Sequence, residues 1–187
     1  PRYSGSTSNN LDSAPDLSIV TDVYTTNGHG TGRVLRVSCN FTNATDGWLR
    51  LTTAGAPNWP NPVIKLTKKL QFDLYTDKAV KVAVGCRETT TAAGTPIGTN
   101  GGTSGGIEWA GVTNLSGTAP MPTRTVSTGV WTTLTFNLPN EPILNFSGGN
   151  GILSTASGLG VLEHLAIVPA GGTGTNNLYL DNLAVLV

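Results

Sequence analysis

Apolar and polar residues alternate along much of this 187-residue chain, and this two-residue period constrains its fold more than any other feature. In the run 62–75, apolar side chains at positions 64, 66, 70, 72 and 74 alternate with polar ones. Successive side chains of a β-strand point to opposite faces of the sheet, so the pattern predicts strands with one buried face. Because no segment shows a convincing helical period, we expect an all-β protein.

Turn-forming Gly, Pro, Asn and Asp clusters separate the alternating runs. The predicted strands lie near 17–24, 33–42, 47–53, 62–75, 79–88, 106–112, 130–138, 159–168 and 177–187. Three stretches between them are interpreted as long loops: 89–106, 113–129 and 139–158. We expect an antiparallel β-sandwich of jelly-roll type with two sheets, long loops and no substantial helix. Residues 1–16 are predicted to form an N-terminal arm or edge strand, and 17–187 a single β-sandwich domain.

The charge content argues against several classes of partner. There are 11 basic and 11 acidic residues, and charged residues make up 12% of the chain, against roughly a quarter in an average protein. The sequence has no basic stripe of the kind that nucleic-acid binding requires. No apolar run reaches the roughly 20 residues that membrane insertion needs. A chain rich in Gly, Thr and Asn, polar through hydroxyls and amides, is typical of a secreted, extracellular protein.

The two cysteines fall on inward positions of two predicted strands. Cys39 belongs to 33–42 and Cys86 to 79–88. In a secreted domain they could form one disulfide, or both could be buried thiols in the core. The sequence leaves both possibilities open.

Some large polar and aromatic side chains occupy the opposite, outward positions. Trp48 and Arg50 project outward if Leu49 and Leu51 face the core. An aromatic ring can stack on the C–H face of a sugar, and the rigid guanidinium fork of Arg makes paired hydrogen bonds. This combination points to carbohydrate binding, although a large aromatic side chain can also be partly buried under a loop.

The strand predicted over 79–88 extends the same interpretation. Its outward Ala83 and Gly85 would form a low floor for a sugar ring, with Arg87 at the edge. These residues form one cleft only if their strands share a sheet. The candidate carbohydrate-binding residues are Trp48, Arg50, Arg87, Glu88, Trp109 and His164.

Four segments, taken in order, resemble the strand motifs of jelly-roll carbohydrate-binding modules of the galactose-binding-like fold. The segments are GTGRVLRV at 30–37, KLQFDLY at 69–75, GVWTTLTFNL at 129–138 and LYLDNLAV at 178–185. The resemblance implies a non-catalytic module that binds a β-linked polysaccharide. It also implies that the module is tethered to a catalytic domain in a parent protein, and that Trp131 is structural.

The resemblance further implies a structural Ca²⁺ between the first and last strands. Asp181 matches the acidic position in the last strand, and Asp22, Asp12 or Asp16 could supply a second carboxylate. Calcium needs six to eight oxygen ligands. We take Asp181, Asp22 and Asp12 as the candidate metal ligands. The alternative is that Asp181 only ends a strand ladder or caps a turn.

Catalysis is not expected. Glu88, Glu108 and Glu163 are the carboxyl groups that could act on a glycosidic bond, but none lies in a recognisable catalytic motif. Two alternatives to the binding module remain. One is a structural subunit of an extracellular or surface assembly, which would self-associate. The other, less favoured, is a polysaccharide lyase or glycoside hydrolase.

Overall fold

The computed structural model of the chain describes residues 2–3, 11–53, 62–89 and 105–186. These residues form fifteen β-strands, all paired antiparallel, and two three-residue 3-10 turns at Thr26–Gly28 and Leu138–Asn140. The strands are β1 Arg2–Tyr3, β2 Asp16–Thr21, β3 Arg33–Phe41, β4 Leu49–Thr52, β5 Val63–Lys65, β6 Lys69–Thr76, β7 Val80–Arg87, β8 Ile107–Ala110, β9 Val112–Ser116, β10 Ala119–Pro122, β11 Arg124–Val126, β12 Thr132–Asn137, β13 Ile143–Ser147, β14 Leu159–Pro169 and β15 Gly174–Leu186.

The strands build two main sheets. The eight-stranded sheet has the order β1-β4-β14-β7-β8-β13, with β5 paired to β14 and β11 paired to β7. The five-stranded sheet has the order β12-β6-β15-β3-β2, and β9 and β10 form a separate hairpin. Strands that are distant in sequence lie side by side in both sheets, as the chain crosses between them.

The main core lies between the two sheets. Leu51 and Val84 of the eight-stranded sheet pack in one buried cluster with Val37, Leu74 and Leu178 of the five-stranded sheet. These residues occupy the inward positions that the alternation indicates. The antiparallel β-sandwich is therefore confirmed.

Two of the three predicted loops are wrong, because 113–129 and 139–158 contain strands. β9, β10 and β11 lie in or next to the first stretch, and β13 lies in the second. Their sequences do not alternate clearly: β9 exposes Thr113 and Asn114, and β10 contains Pro120 and Pro122. The β9–β10 hairpin packs on the outward face of the eight-stranded sheet, where β10 contacts β7 and β14. Most of the third predicted loop, 89–106, lies outside the described residues.

The N-terminal residues pair with the body of the sandwich. β1 pairs with β4 at the edge of the eight-stranded sheet, and Leu11 forms an isolated bridge with Phe41. The division at residue 16 stays a prediction. No helix in the described ranges has the length and hydrophobicity needed to cross a bilayer.

Both cysteines are free thiols, one in each main sheet. Cys39 lies in β3 and Cys86 in β7, and both are buried. Burial raises the pKa of each thiol to about 12. At neutral pH both are therefore protonated, apolar core side chains.

Candidate functional site

The outward face of the eight-stranded sheet carries a row of residues that runs across five neighbouring strands. Thr52 pairs with His164, His164 with Gly85, and Gly85 with Trp109. The row ends at Leu144, the partner of Trp109 in β13. Four strand spacings make it about 19 Å long. Strands β4, β14, β7 and β8 therefore share one sheet, which is the condition for the predicted residues to converge.

Four aromatic rings pack together on this face. Trp109 lies 4.8 Å from Phe146 and 5.9 Å from Trp48, between ring centroids, and the ring of Phe146 lies 5.8 Å from that of His164. Such edge and tilted contacts are favourable geometries for aromatic pairs. Phe146 is absent from the predicted site because β13 was interpreted as part of a loop.

The aromatic side chains are much less accessible than the sequence suggested. Trp109 is 0% exposed, Trp48 4% and His164 5%. Val112 and Ala119 of the β9–β10 hairpin belong to the same buried cluster as the two indoles. The expectation that Trp48, Trp109 and His164 lie open to a ligand is therefore wrong for this conformation, because the hairpin and neighbouring rings cover them.

The predicted low floor at Ala83 and Gly85 is also corrected. Ala83 is fully buried in the cluster under the hairpin. A Cβ atom added to Gly85 would lie 2.8 Å from the Cβ of His164 and 2.9 Å from Cζ3 of Trp109. The space above Gly85 is thus filled by side chains of the protein itself, and the glycine allows their close approach.

Arg50 and Phe146 form a partly exposed surface over the buried rings. The guanidinium carbon of Arg50 lies 5.0 Å from the centroid of the Phe146 ring, within the range of a cation–π contact. Burial lowers the pKa of Arg50, and the nearby Glu163 carboxylate partly offsets this effect. Arg50 stays charged at neutral pH, because a guanidinium is not deprotonated in proteins.

Arg87 and Glu163 form a two-pronged ion pair on the same face. Arg87 Nη2 donates to Glu163 Oε1 at 3.1 Å and Nε donates to Oε2, while Nη1 donates to the carbonyl of Gly105 at 3.1 Å. Glu163 reaches this face through a β-bulge: Leu162 pairs with Cys86 and His164 with Gly85, which leaves Glu163 unpaired in the ladder. Bulges re-aim side chains in this way, and alternation alone could not assign Glu163 to the face.

Glu163 is held as a carboxylate. Burial raises its pKa, but the contacts with His164 and Arg87 outweigh burial, and the net pKa lies below the ordinary value. His164 Nε2 lies 3.3 Å from Glu163 Oε1, and burial lowers the pKa of His164. Among the described residues, neither His164 Nδ1 nor Trp109 Nε1 has a hydrogen-bond partner.

Glu88 does not join this face, which corrects its assignment. It directly follows Arg87 in the chain and therefore points to the opposite face of the sheet. Its Oε1 accepts a hydrogen bond from the backbone N–H of Ser154 at 2.5 Å. Glu108 also points away from the face. Its Oε1 accepts from the backbone N–H groups of Asn150 and Gly151. Both carboxylates therefore anchor the connection between β13 and β14.

The three predicted metal ligands do not come together. Asp12 accepts a hydrogen bond from Asn40 near the end of β3, whereas Asp22 accepts one from Gly30, just before β3 begins. The nine residues of β3 separate the two ends by about 26 Å. Asp12 is therefore wrong as a ligand of a site that contains Asp22 and Asp181.

Asp22 and Asp181 instead surround a histidine, together with Asp73. His29 Nδ1 lies 3.3 Å from Asp22 Oδ2 and 3.8 Å from Asp181 Oδ2, and Nε2 lies 3.2 Å from Asp73 Oδ2. Within the described ranges, no group of three or more Asp, Glu, His or Cys side chains could hold a metal ion. Calcium needs six to eight oxygen ligands, but the space between these carboxylates is filled by the His29 ring, which offers nitrogen atoms instead. The residues present do not fit a Ca²⁺ ion.

No protein-family model and no curated protein matches this chain. Among solved structures, it is similar to a family 11 carbohydrate-binding module from Clostridium thermocellum in complex with a β-1,3-1,4-mixed-linked tetrasaccharide. The identity is 12%, over 93% of this chain and 84% of that one, with a TM-score of 0.49. A family 30 carbohydrate-binding module of a cellulosomal cellulase from the same organism is also 12% identical, over 95% and 86%, with a TM-score of 0.43.

A second structure of a family 11 module, from another cellulosomal cellulase of Clostridium thermocellum, has 12% identity and a TM-score of 0.44. It covers 93% of this chain and 83% of that one. The solved structures similar to this chain over nine-tenths of its length thus include carbohydrate-binding modules.

Proposed function

We propose that this chain is a non-catalytic carbohydrate-binding module that binds a β-linked polysaccharide on the outward face of its eight-stranded sheet. The observation that supports this most is the composition of that face. Arg50, the Arg87–Glu163 pair and Phe146 lie on the same face as the buried rings of Trp48 and Trp109. A sandwich needs no such concentration of planar polar and aromatic groups on the side of a sheet that faces away from its core.

The shape of the face favours an extended ligand. The row from Thr52 to Leu144 crosses five strands over about 19 Å. A β-linked glycan is an extended chain with flat C–H faces and hydroxyls along its edges. Phe146 would contact a C–H face, while Arg50 and Arg87 would donate hydrogen bonds to hydroxyls. Trp48, Trp109 and His164 would support this surface from below.

Binding without turnover is favoured by the state of the carboxylates. A glycosidase needs a carboxylic acid with a raised pKa and a second carboxylate across the cleft. Glu163 is ion-paired and its pKa is lowered, while Glu88 and Glu108 point away from the face. A module of this kind raises the local concentration of an attached enzyme at its polymer. We therefore also propose that the chain acts outside the cell, tethered to a catalytic domain.

Affinity gel electrophoresis tests the proposal. A soluble mixed-linkage β-glucan is the first polymer, and an α-linked glucan is the comparison. We expect the β-glucan to retard the wild-type chain, and Arg50→Ala and Phe146→Ala each to weaken binding at least tenfold, about 1.4 kcal/mol. Arg36→Ala is the matched control, because Arg36 pairs with Asp16 on the opposite side of the sandwich.

Circular dichroism and thermal unfolding establish that each variant is folded before binding is compared. If the chain binds no β-linked glycan, the proposed function is wrong. If it binds, but Arg50→Ala and Phe146→Ala bind as tightly as Arg36→Ala, the proposed face is wrong. Release of reducing sugar or unsaturated product from the polymer would contradict the non-catalytic assignment.

A further inference from the structure

The cluster around His29 lies on the five-stranded sheet, away from the proposed carbohydrate-binding face. Asp73 and Asp181 occupy directly paired positions on β6 and β15. Like charges in directly opposed positions of a sheet repel each other. Asp22, which is 2% exposed, adds a third carboxylate from the segment after β2. Three negative charges therefore meet where the resemblance to calcium-binding modules implied a metal ion.

The side chain of His29 fills the space between these carboxylates. Both ring nitrogens of His29 face carboxylate oxygens, at 3.3 Å from Asp22 and 3.2 Å from Asp73. The contact between Nε2 and Asp73 is a hydrogen bond. The third carboxylate neighbour of the ring is Asp181, at 3.8 Å.

The ring of His29 is held in place by its surroundings. Its ring stacks on the indole of Trp131, with 3.9 Å between centroids and 13° between planes. Trp131 is fixed in turn, because its Nε1 donates to the carbonyl of Tyr24 at 3.0 Å. The His29 side chain is 7% exposed, so little water competes for these contacts.

The carboxylates also accept hydrogen bonds from donors of the protein. Asp22 accepts from the backbone N–H groups of Tyr24 and Gly30. Asp73 accepts from Thr133 Oγ1 at 2.6 Å and from Asn182 Nδ2 at 2.7 Å. Burial raises the pKa of Asp22 and of Asp73, but these hydrogen bonds and His29 outweigh it and leave both below their ordinary values. Groups of the chain itself therefore surround the carboxylates of the cluster.

We propose that the side chain of His29 takes the place of a structural divalent cation between Asp22, Asp73 and Asp181, so that the fold of this chain is independent of calcium. Removal of the ring would leave three converging carboxylates around an open space. That arrangement has the oxygen ligands and the negative charge that Ca²⁺ prefers. The histidine thus decides whether this part of the sandwich needs metal.

Thermal unfolding in 1 mM EDTA and in 5 mM Ca²⁺ tests the inference. We expect the wild-type Tm to agree within about 1 °C in the two buffers, since no Ca²⁺ binds to the native cluster. His29→Ala should unfold several degrees lower than wild type in EDTA and regain on the order of 5 °C in Ca²⁺. His29→Ala combined with Asp181→Asn should lose this response, which assigns the Ca²⁺ effect to the cluster.

His29→Gln is the second variant, because its flexible side chain fills only part of the space that the ring occupies, and we expect it to show the same Ca²⁺ response. If His29→Ala does not fold in EDTA, recovery of its β-sheet circular dichroism in Ca²⁺ is the equivalent positive result. A wild-type Tm that falls in EDTA overturns the inference. It is also overturned if neither His29 variant gains stability or structure from Ca²⁺. These measurements use no glycan, so they are independent of the proposed function.

Discussion

Individual side chains on the outward face of the eight-stranded sheet combine burial with charge. Glu163 is 2% exposed and yet ionised, because two N–H groups of Arg87 donate hydrogen bonds to its carboxylate and His164 lies beside it. Removal of one member of a buried pair leaves the other charge without compensation, and this costs more than the pair itself contributes. The Arg87–Glu163 pair therefore fixes the positions of the polar groups that we assign to sugar binding.

Glu163→Gln should destabilise the fold at pH 7 by about 2 kcal/mol or more. The folded-state pKa of Glu163 is lowered, so its contribution is complete above the unfolded-state pKa and is lost as the pH falls through the folded-state value. The difference between wild type and variant should therefore shrink between about pH 5 and pH 3. Urea unfolding at pH 7, 5 and 3 measures it.

Asp16→Asn is the matched control for this measurement, since the Asp16–Arg36 pair is exposed. An exposed pair contributes at most about 1 kcal/mol. If Glu163→Gln costs no more than Asp16→Asn at pH 7, or costs as much at pH 3 as at pH 7, the ion pair does not have the strength assigned to it.

The face of the sheet on which a side chain lies could be predicted from the alternation, whereas the exposure of that side chain could not. The alternation around Leu49 and Leu51 placed Trp48 and Arg50 on the outward side, and the structure agrees. The burial of Trp48 depends on contacts that are distant in sequence, with Phe146 in β13 and with Ala119 in the hairpin. Sequence periodicity contains no information on such contacts.

The strands of the two main sheets were largely predictable because each buries one face against the other sheet. β3, β7 and β14 lie within two residues of their predicted ends. The β9–β10 hairpin was not predicted, because it contacts the outward face of a sheet through only a few small side chains. The β-bulge at Leu162–His164 could not be predicted either, since it depends on the register of β14 with β7. The strand pattern therefore indicated the fold but not the covering of the face.

Ala119→Asp tests the role of the hairpin. Ala119 is 1% exposed and belongs to the cluster with Trp48 and Trp109. A carboxylate there would be buried without a partner, and we expect a loss of about 3 kcal/mol in stability or local detachment of the hairpin. In either case the tryptophan emission of the native protein should shift to longer wavelength, as Trp48 and Trp109 gain water.

Thr118→Asp is the control for Ala119→Asp, because the neighbouring Thr118 side chain is exposed. We expect it to change stability by no more than about 0.5 kcal/mol and to leave the emission spectrum unchanged. Equal effects of the two substitutions would show that the hairpin does not cover the indoles.

The whole molecule divides its polar groups between two opposite sides. The outward side of the eight-stranded sheet combines Arg, Glu and aromatic side chains into an extended surface. The five-stranded sheet contains the His29 cluster, where one ring lies between three carboxylates. The first side is proposed to bind a ligand and the second to stabilise the fold, so ligand binding and the stability of the cluster should be separable in one protein.

The central claim is that glycan binds to the outward face of the eight-stranded sheet, and the indole N–H signals of the four tryptophans test it most directly. Trp109 packs beneath Phe146 on that face, whereas Trp131 donates to Tyr24 on the other side of the sandwich. In ¹⁵N NMR spectra with single Trp→Phe assignments, a mixed-linkage β-glucan tetrasaccharide should shift the signal of Trp109 and leave that of Trp131 in place. A shift of Trp131 without a shift of Trp109, or no shift of any indole at saturating tetrasaccharide, would contradict the claim.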